Sequence, residues 1–189
     1  MPRTRTFIAI ELNQDIRARL VALQRSLATA APDVKWVEPE NLHVTLLFLG
    51  EVDDRELPAV CRAVQDAVAA QPAFPLTVRS AGCFPNVRRP RVLWVGIAQG
   101  LHEVVAIHDA VESPLLALGC YRHEDRRYTP HVTLGRRRSE GPAAALGRAL
   151  AQHQDWLAGE TTVAAVHVMA SQLTPHGPAY MVLSRAHLA

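Results

Sequence analysis

The chain has 189 residues, 49% of them apolar and 20% charged, with a formal net charge of +2 at pH 7. That is enough for one sizeable domain or two small lobes sharing a core, and too small a basic surplus for indiscriminate nucleic-acid binding. With no run of eighteen apolar residues and no charged, apolar, small-residue leader, neither a membrane span nor a signal peptide is expected, and the cytoplasm is the expected location.

In chain order, Thr6 to Leu12 reads as a first strand, and Asn13 then offers a side-chain cap to a helix carrying Ile16, Leu20, Leu23 and Leu27 on one stripe. After the Pro32-Asp33 turn, an extended piece at Val34 to Val37 leads through Pro39 into a strand from His43 to Leu49, stopped by Gly50. Leu57, Val60, Val64 and Val68 mark a second helix, broken by Pro72 and Pro75 before an extended stretch from Phe74 to Val78. Turn chemistry at Pro85-Asn86 precedes a strand from Arg91 to Ile97, and a third helix follows from Leu101 to Leu118, ended by Gly119. Tyr128 to Arg136 reads as a strand with Pro130 near its start, then come an alanine-rich helix from Pro142 to His153 and strands at Thr162 to Gln172 and Tyr180 to Ser184. No glycine-rich phosphate loop follows any strand, so the expected class is mixed α+β, and no low-complexity linker divides the chain.

Cys61, Cys83 and Cys120 are scattered, without a C-x-x-C pair, and are expected to be reduced. Lys35 is the only lysine; the remaining positive charge is arginine, whose planar fork matches phosphate oxygens. Arginines cluster at Arg88, Arg89 and Arg91, at Arg122, Arg126 and Arg127, and at Arg136, Arg137 and Arg138, most of them expected to be solvated and some to steer a nucleic acid strand. Phe48, Trp94, Tyr121 and Tyr128 are candidates to stack on a base, but Phe48 and Trp94 lie in apolar runs that favour core packing, and none of the four is placed in the site. A metal centre from His102 and His108, or from His123 with Glu124 and Asp125, lacks recognisable ligand spacing, and no metal is expected.

One tetrapeptide carries chemistry. His43-Val44-Thr45-Leu46 returns unchanged as His131-Val132-Thr133-Leu134. On a strand, period-two alternation puts each histidine and its threonine on one face and the Val-Leu pair on the other. Core packing has no use for the same His-Thr pair twice. Near pH 7 one imidazole can be neutral while another is protonated, so two facing copies supply the base and the acid of an in-line displacement at phosphorus. The threonine hydroxyls can donate to the phosphoryl oxygens where charge develops.

With these flanks the sequence resembles the two-histidine (2H) phosphoesterase superfamily, and within it the RNA 2′,3′-cyclic phosphodiesterases, also called 2′-5′ RNA ligases. The resemblance runs through Phe7-Ile8-Ala9, Asn41 to Leu46 with Phe48-Leu49-Gly50, Arg91 to Gly96, Thr129 to Arg136 and Ser171 to Tyr180. It implies one two-lobed domain over 1–189, with two pseudo-symmetric antiparallel sheets flanked by helices and a central groove. It also implies hydrolysis of RNA 2′,3′-cyclic phosphate ends to a 2′-phosphate, without metal or cofactor, on RNA ends or small cyclic nucleotides, by a protein expected to be a monomer. His43 matches the proton donor to the leaving 3′ oxygen and His131 the acceptor that activates water. Thr45 and Thr133 match the phosphate-holding positions and Arg136 a basic residue beyond the second motif, while Gly135 is a small departure from the alanine or bulkier residue expected there. The alternatives are reversible 2′-5′ RNA ligation at the same site, or a module that binds RNA ends without turnover.

Overall fold

The computed structural model describes residues 1–123, 127–175 and 177–189. Its strands are β1 (Arg3–Glu11), β2 (Val34–Trp36), β3 (His43–Asp53), β4 (Phe74–Phe84), β5 (Val92–Ile97), β6 (His131–Arg137), β7 (Leu157–Val163), β8 (Ala165–Thr174) and β9 (Gly177–His187). The helices are α1 (Gln14–Ala28), α2 (Leu57–Val68), α3 (Leu101–Ala117) and α4 (Ala144–Ala151), with a 3-10 turn at Pro39–Asn41. As the sequence predicts, the Asn13 side chain caps α1 by accepting from the Ile16 N–H at 2.9 Å. No helix among the described residues is long and apolar enough to cross a membrane.

Eight strands pair antiparallel in the order β7-β4-β5-β6-β3-β1-β8-β9, and β2 pairs with β6. Two four-stranded halves, β3-β1-β8-β9 and β6-β5-β4-β7, meet at one rung, Val44 opposite Val132. The α+β class and the pseudo-symmetric halves expected from the sequence are thus present, joined into one curled sheet. The curl lets the chain leave β7 at one edge and enter β8 in the other half across Ala164 alone.

The helices exchange sides. α1 follows β1 but packs on β7 and α4 behind the opposite half, and α3 follows β5 yet packs on β3 and α2. Between helices and sheet lies the main core, which includes Ile8, Ile10, Leu20, Val44, Val64, Ile107 and Val132. A smaller cluster of Phe7, Ala9 and Met169, flanked by Tyr180 and Val182, covers part of the opposite face.

Several elements differ from expectation. β3 does not stop at Gly50 but stays paired with β1 as far as Asp53, and β9 extends beyond the expected Tyr180 to Ser184 at both ends. β4 continues six residues beyond Val78, because a bulge between Arg79 and Ala81, with Ser80 at φ 72°, hides the continuation by breaking the alternation. The strand expected at Thr162 to Gln172 is two strands, since the apolar pattern runs through Ala164 with no glycine or proline to mark the crossing. β6 begins at His131, leaving Tyr128 to Pro130 outside it.

Candidate active site

The rung joining the halves fixes the site. Val44 and Val132 are fully buried on the helix side, so alternation turns His43, Thr45, His131 and Thr133 to the opposite face, where all four are half-buried. Antiparallel pairing about that rung sets His43 beside Thr133 and Thr45 beside His131, so the two histidines lie on one diagonal and the two threonines on the other.

Each imidazole is held by the carbonyl two residues before it. His43 Nδ1 lies 2.7 Å from Asn41 O and His131 Nδ1 2.6 Å from Thr129 O. A carbonyl only accepts, so both Nδ1 atoms carry the proton and both Nε2 atoms are left for chemistry. His43 Nε2 is 2.8 Å from Thr45 Oγ1. The buried Asn41 amide anchors this grip by donating to Pro178 O at 2.7 Å. Around His43 stand the rings of Phe7 at 5.0 Å and, edge-on, Tyr180 at 5.4 Å; Phe84 at 5.1 Å and Trp94 at 6.4 Å flank His131. Burial lowers both imidazole pKa values below 6.5, and the backbone carbonyls partly oppose it; Arg17 and His131 lower His43 further, Arg136 lowers His131, and Glu11 raises His43.

Beyond the motifs, two bulges occupy equivalent places. On β3 the register passes from Thr45–Ala9 to Leu47–Ile8, and on β6 from Thr133–Trp94 to Gly135–Leu93, so Leu46 and Leu134 are the extra residues. Strict alternation would turn residues 48 and 136 toward the helices; the bulges turn them back to the histidine face. Arg136 therefore lies on the histidine face, its charge reaching both His131 and Tyr180. Its counterpart in the first half is Phe48, which stands 51% exposed with its ring 5.9 Å from Phe7. The apolar run around Phe48 argues for core; the bulge, invisible in the sequence, turns it out as a surface aromatic on the histidine face.

Gly135 has a steric reason. A Cβ there would lie 2.6 Å from Val34 Cγ1 and 3.0 Å from Lys35 O, because β2 closes directly over this position. Arg137 faces the other way, buried between Asp33 Oδ2 at 3.0 Å and the carbonyls of Pro90 and Gly141 at 3.1 and 3.0 Å. Arg91 pairs with Glu140, and Arg126 lies outside the described residues. Tyr128 stacks on His108 at 4.0 Å and donates to Thr45 O at 2.8 Å, and Tyr121 is buried, so neither offers a free face to a base.

The described residues contain one group with donor atoms close enough for a metal, His108, Asp109 and Glu112 on α3. His108 is bonded to Asp109, and His123 to Glu112, at 2.8 and 2.9 Å; Glu124 and Asp125 lie outside the described residues. The three cysteines are unpaired, and burial raises each thiol pKa.

Comparison with known proteins agrees with this architecture. Residues 10–94 match the family model of LigT like Phosphoesterase. A Methanothermobacter thermautotrophicus protein named RNA 2′,3′-cyclic phosphodiesterase is 33% identical over 94% of this chain and 95% of its own length. Among solved structures, a Thermus thermophilus protein superposes with a TM-score of 0.82 at 29% identity, covering 97% of both chains. Escherichia coli LigT complexed with 3′-AMP superposes with a TM-score of 0.78 at 26% identity, over 100% of this chain and 99% of that one. On sequence over nearly its whole length and on fold together, this chain belongs to the LigT-like phosphoesterase family.

Proposed function

We propose that the protein hydrolyses 2′,3′-cyclic phosphate ends of RNA, or small cyclic nucleotides, to 2′-phosphates by metal-independent acid/base catalysis. The observation that carries this reading is the diagonal pair of imidazoles around the Val44–Val132 rung, each with its Nδ1 proton tied to a backbone carbonyl. The names of the curated relatives, RNA 2′,3′-cyclic phosphodiesterase, support the same substrate class.

A cyclic phosphate seated over the rung meets one Nε2 on each flank. His131 Nε2 takes a proton from water as the water oxygen bonds to phosphorus. The bond from phosphorus to the 3′ oxygen breaks, and His43 Nε2–H delivers its proton to that oxygen, leaving a 2′-phosphate and a 3′-hydroxyl. Both Nε2 atoms end in the opposite protonation state, and exchange with solvent restores them. Thr45 and Thr133 donate hydroxyl hydrogen bonds to the non-bridging oxygens, and Arg136 adds a fixed cation.

The test is a product assay on an oligonucleotide ending in 2′,3′-cyclic phosphate. Full turnover in excess chelator, a phosphate retained on the 2′ oxygen, and loss of turnover by about a thousandfold or more in His43→Ala and His131→Ala are expected. A His131→Ala protein turning over at the wild-type rate, or activity abolished by chelator, overturns the reading. Because burial lowers both imidazole pKa values, the bell-shaped profile of kcat/KM should be centred below the ordinary histidine value of 6.5. The bound phosphate's negative charge raises both pKa values, so the kcat profile should lie at higher pH than that of kcat/KM.

A further inference from the structure

The two motifs are identical, so whatever makes one imidazole give a proton and the other take one lies outside them. The pseudo-symmetry supplies a direct comparison. Opposite His43 on β1 stands Glu11; opposite His131 on β5, at the equivalent position, stands Gly96. Directly opposed residues share a face at close Cβ separation, so His43 has a carboxylate for a neighbour where His131 has bare backbone. The charged neighbour of His131 is instead the Arg136 guanidinium.

Glu11 is itself held. Its Oε1 lies 3.9 Å from Arg17 Nη2 on α1 and its Oε2 lies 3.4 Å from Nε2 of the buried His167 on β8. Arg17 Nε and His167 Nδ1 are buried without hydrogen-bond partners. The groups acting on His43 are therefore Arg17 from α1, Glu11 from β1, His131 from β6 and, edge-on from β9, the Tyr180 ring; those acting on His167 are Glu11 and, from β9, Arg185 and His187.

We infer that Glu11 is the positioning residue that makes His43 the proton donor of the pair. Burial and the Arg17 charge both disfavour a charged imidazole at His43; the Glu11 carboxylate opposes them in part and favours the imidazolium that must exist before the leaving oxygen departs. Glu11 gains and loses no proton; the proton that leaves His43 goes to the 3′ oxygen and is replaced from solvent. Without such a group at Gly96, and with Arg136 close by, His131 is kept neutral, as an acceptor must be. The inference rests on the proposed roles of the two histidines.

The experiment follows His43 and His131 by NMR titration of histidine-labelled protein without substrate, a readout independent of turnover, for wild type, Glu11→Gln, Glu11→Asp and Arg17→Gln. Glu11→Gln should lower the His43 midpoint by about one pH unit and Arg17→Gln should raise it, with Glu11→Asp near wild type and His131 moving less in each. On a cyclic-phosphate substrate, Glu11→Gln should lose about tenfold in kcat above neutral pH with little change in KM. An unmoved His43 midpoint in Glu11→Gln, or shifts of the same sign in Glu11→Gln and Arg17→Gln, as general loosening would give, overturns the inference whatever the enzyme turns over. A shifted midpoint with unchanged kcat overturns the donor role of His43 and leaves the electrostatic pairing standing.

Discussion

Neighbouring residues on one strand can serve unrelated ends, and Arg136 and Arg137 illustrate it. The Arg137 guanidinium is surrounded by Asp33, two carbonyls and Ser139, with its side chain 7% exposed, while Arg136 is exposed on the histidine face. Replacing Arg137 with Met leaves both carbonyls without the guanidinium and Asp33 with Ser139 as its remaining side-chain donor, and should cost about 2 kcal/mol of stability, read as a lower urea midpoint. Replacing Arg136 with Met should leave that midpoint unchanged and reduce kcat/KM on a cyclic phosphate by about tenfold or more. The sequence offers three consecutive arginines and no means of dividing them. The assignment of Arg136 to the site comes from family resemblance; the physical reason is a bulge that no residue type in the run announces. The same bulge in the first half explains why Phe48 reads as core in the sequence: an apolar pattern reports that a side chain avoids water, and not which of two faces it occupies.

Among the elements, β2 and β6 are closely matched, because the space beside the glycine in the second motif's extension is filled by Val34 and Trp36. Gly135→Ala should push β2 off β6 and cost about 1–3 kcal/mol, measurable as a reduced denaturation midpoint. Since Arg136 follows directly, kcat/KM should fall with it. Most helices and strand cores are legible because their apolar spacing is regular: α1, α2 and α3 lie within a few residues of the expected bounds. What escapes are places where backbone geometry departs from regularity without a glycine or proline to signal it. The positive φ at Ser80 hides half of β4, and Ala164 conceals the passage from β7 to β8. The His-Thr faces are legible for the opposite reason, since a strand's period of two needs no special residue to be read.

For the whole molecule, the exchange of α1 and α3 between halves and the single-residue crossing at Ala164 support residues 1–189 acting as one folding unit. A calorimetric scan should then show one cooperative transition with matching calorimetric and van't Hoff enthalpies. Its pH dependence follows from the buried imidazoles. His43, His131 and His167 all have folded-state pKa values below 6.5, so the unfolded chain binds more protons in the window between the folded and unfolded values. Stability contributed by these groups is present above about pH 6.5 and is lost as pH falls through that window. Thermal midpoints should therefore drop from neutral pH toward pH 5, and His167→Gln should flatten the dependence; an unchanged slope would remove His167 from the account.

The Val44–Val132 rung has one more effect, on how the catalytic distance is set. With the imidazoles on diagonal corners about a single cross-strand pair, their separation depends on the angle at which one half-sheet meets the other, much as the tips of scissors depend on the pivot. Enlarging either valine would reset that aperture from behind the sheet, tuning turnover through a side chain that no substrate ever touches.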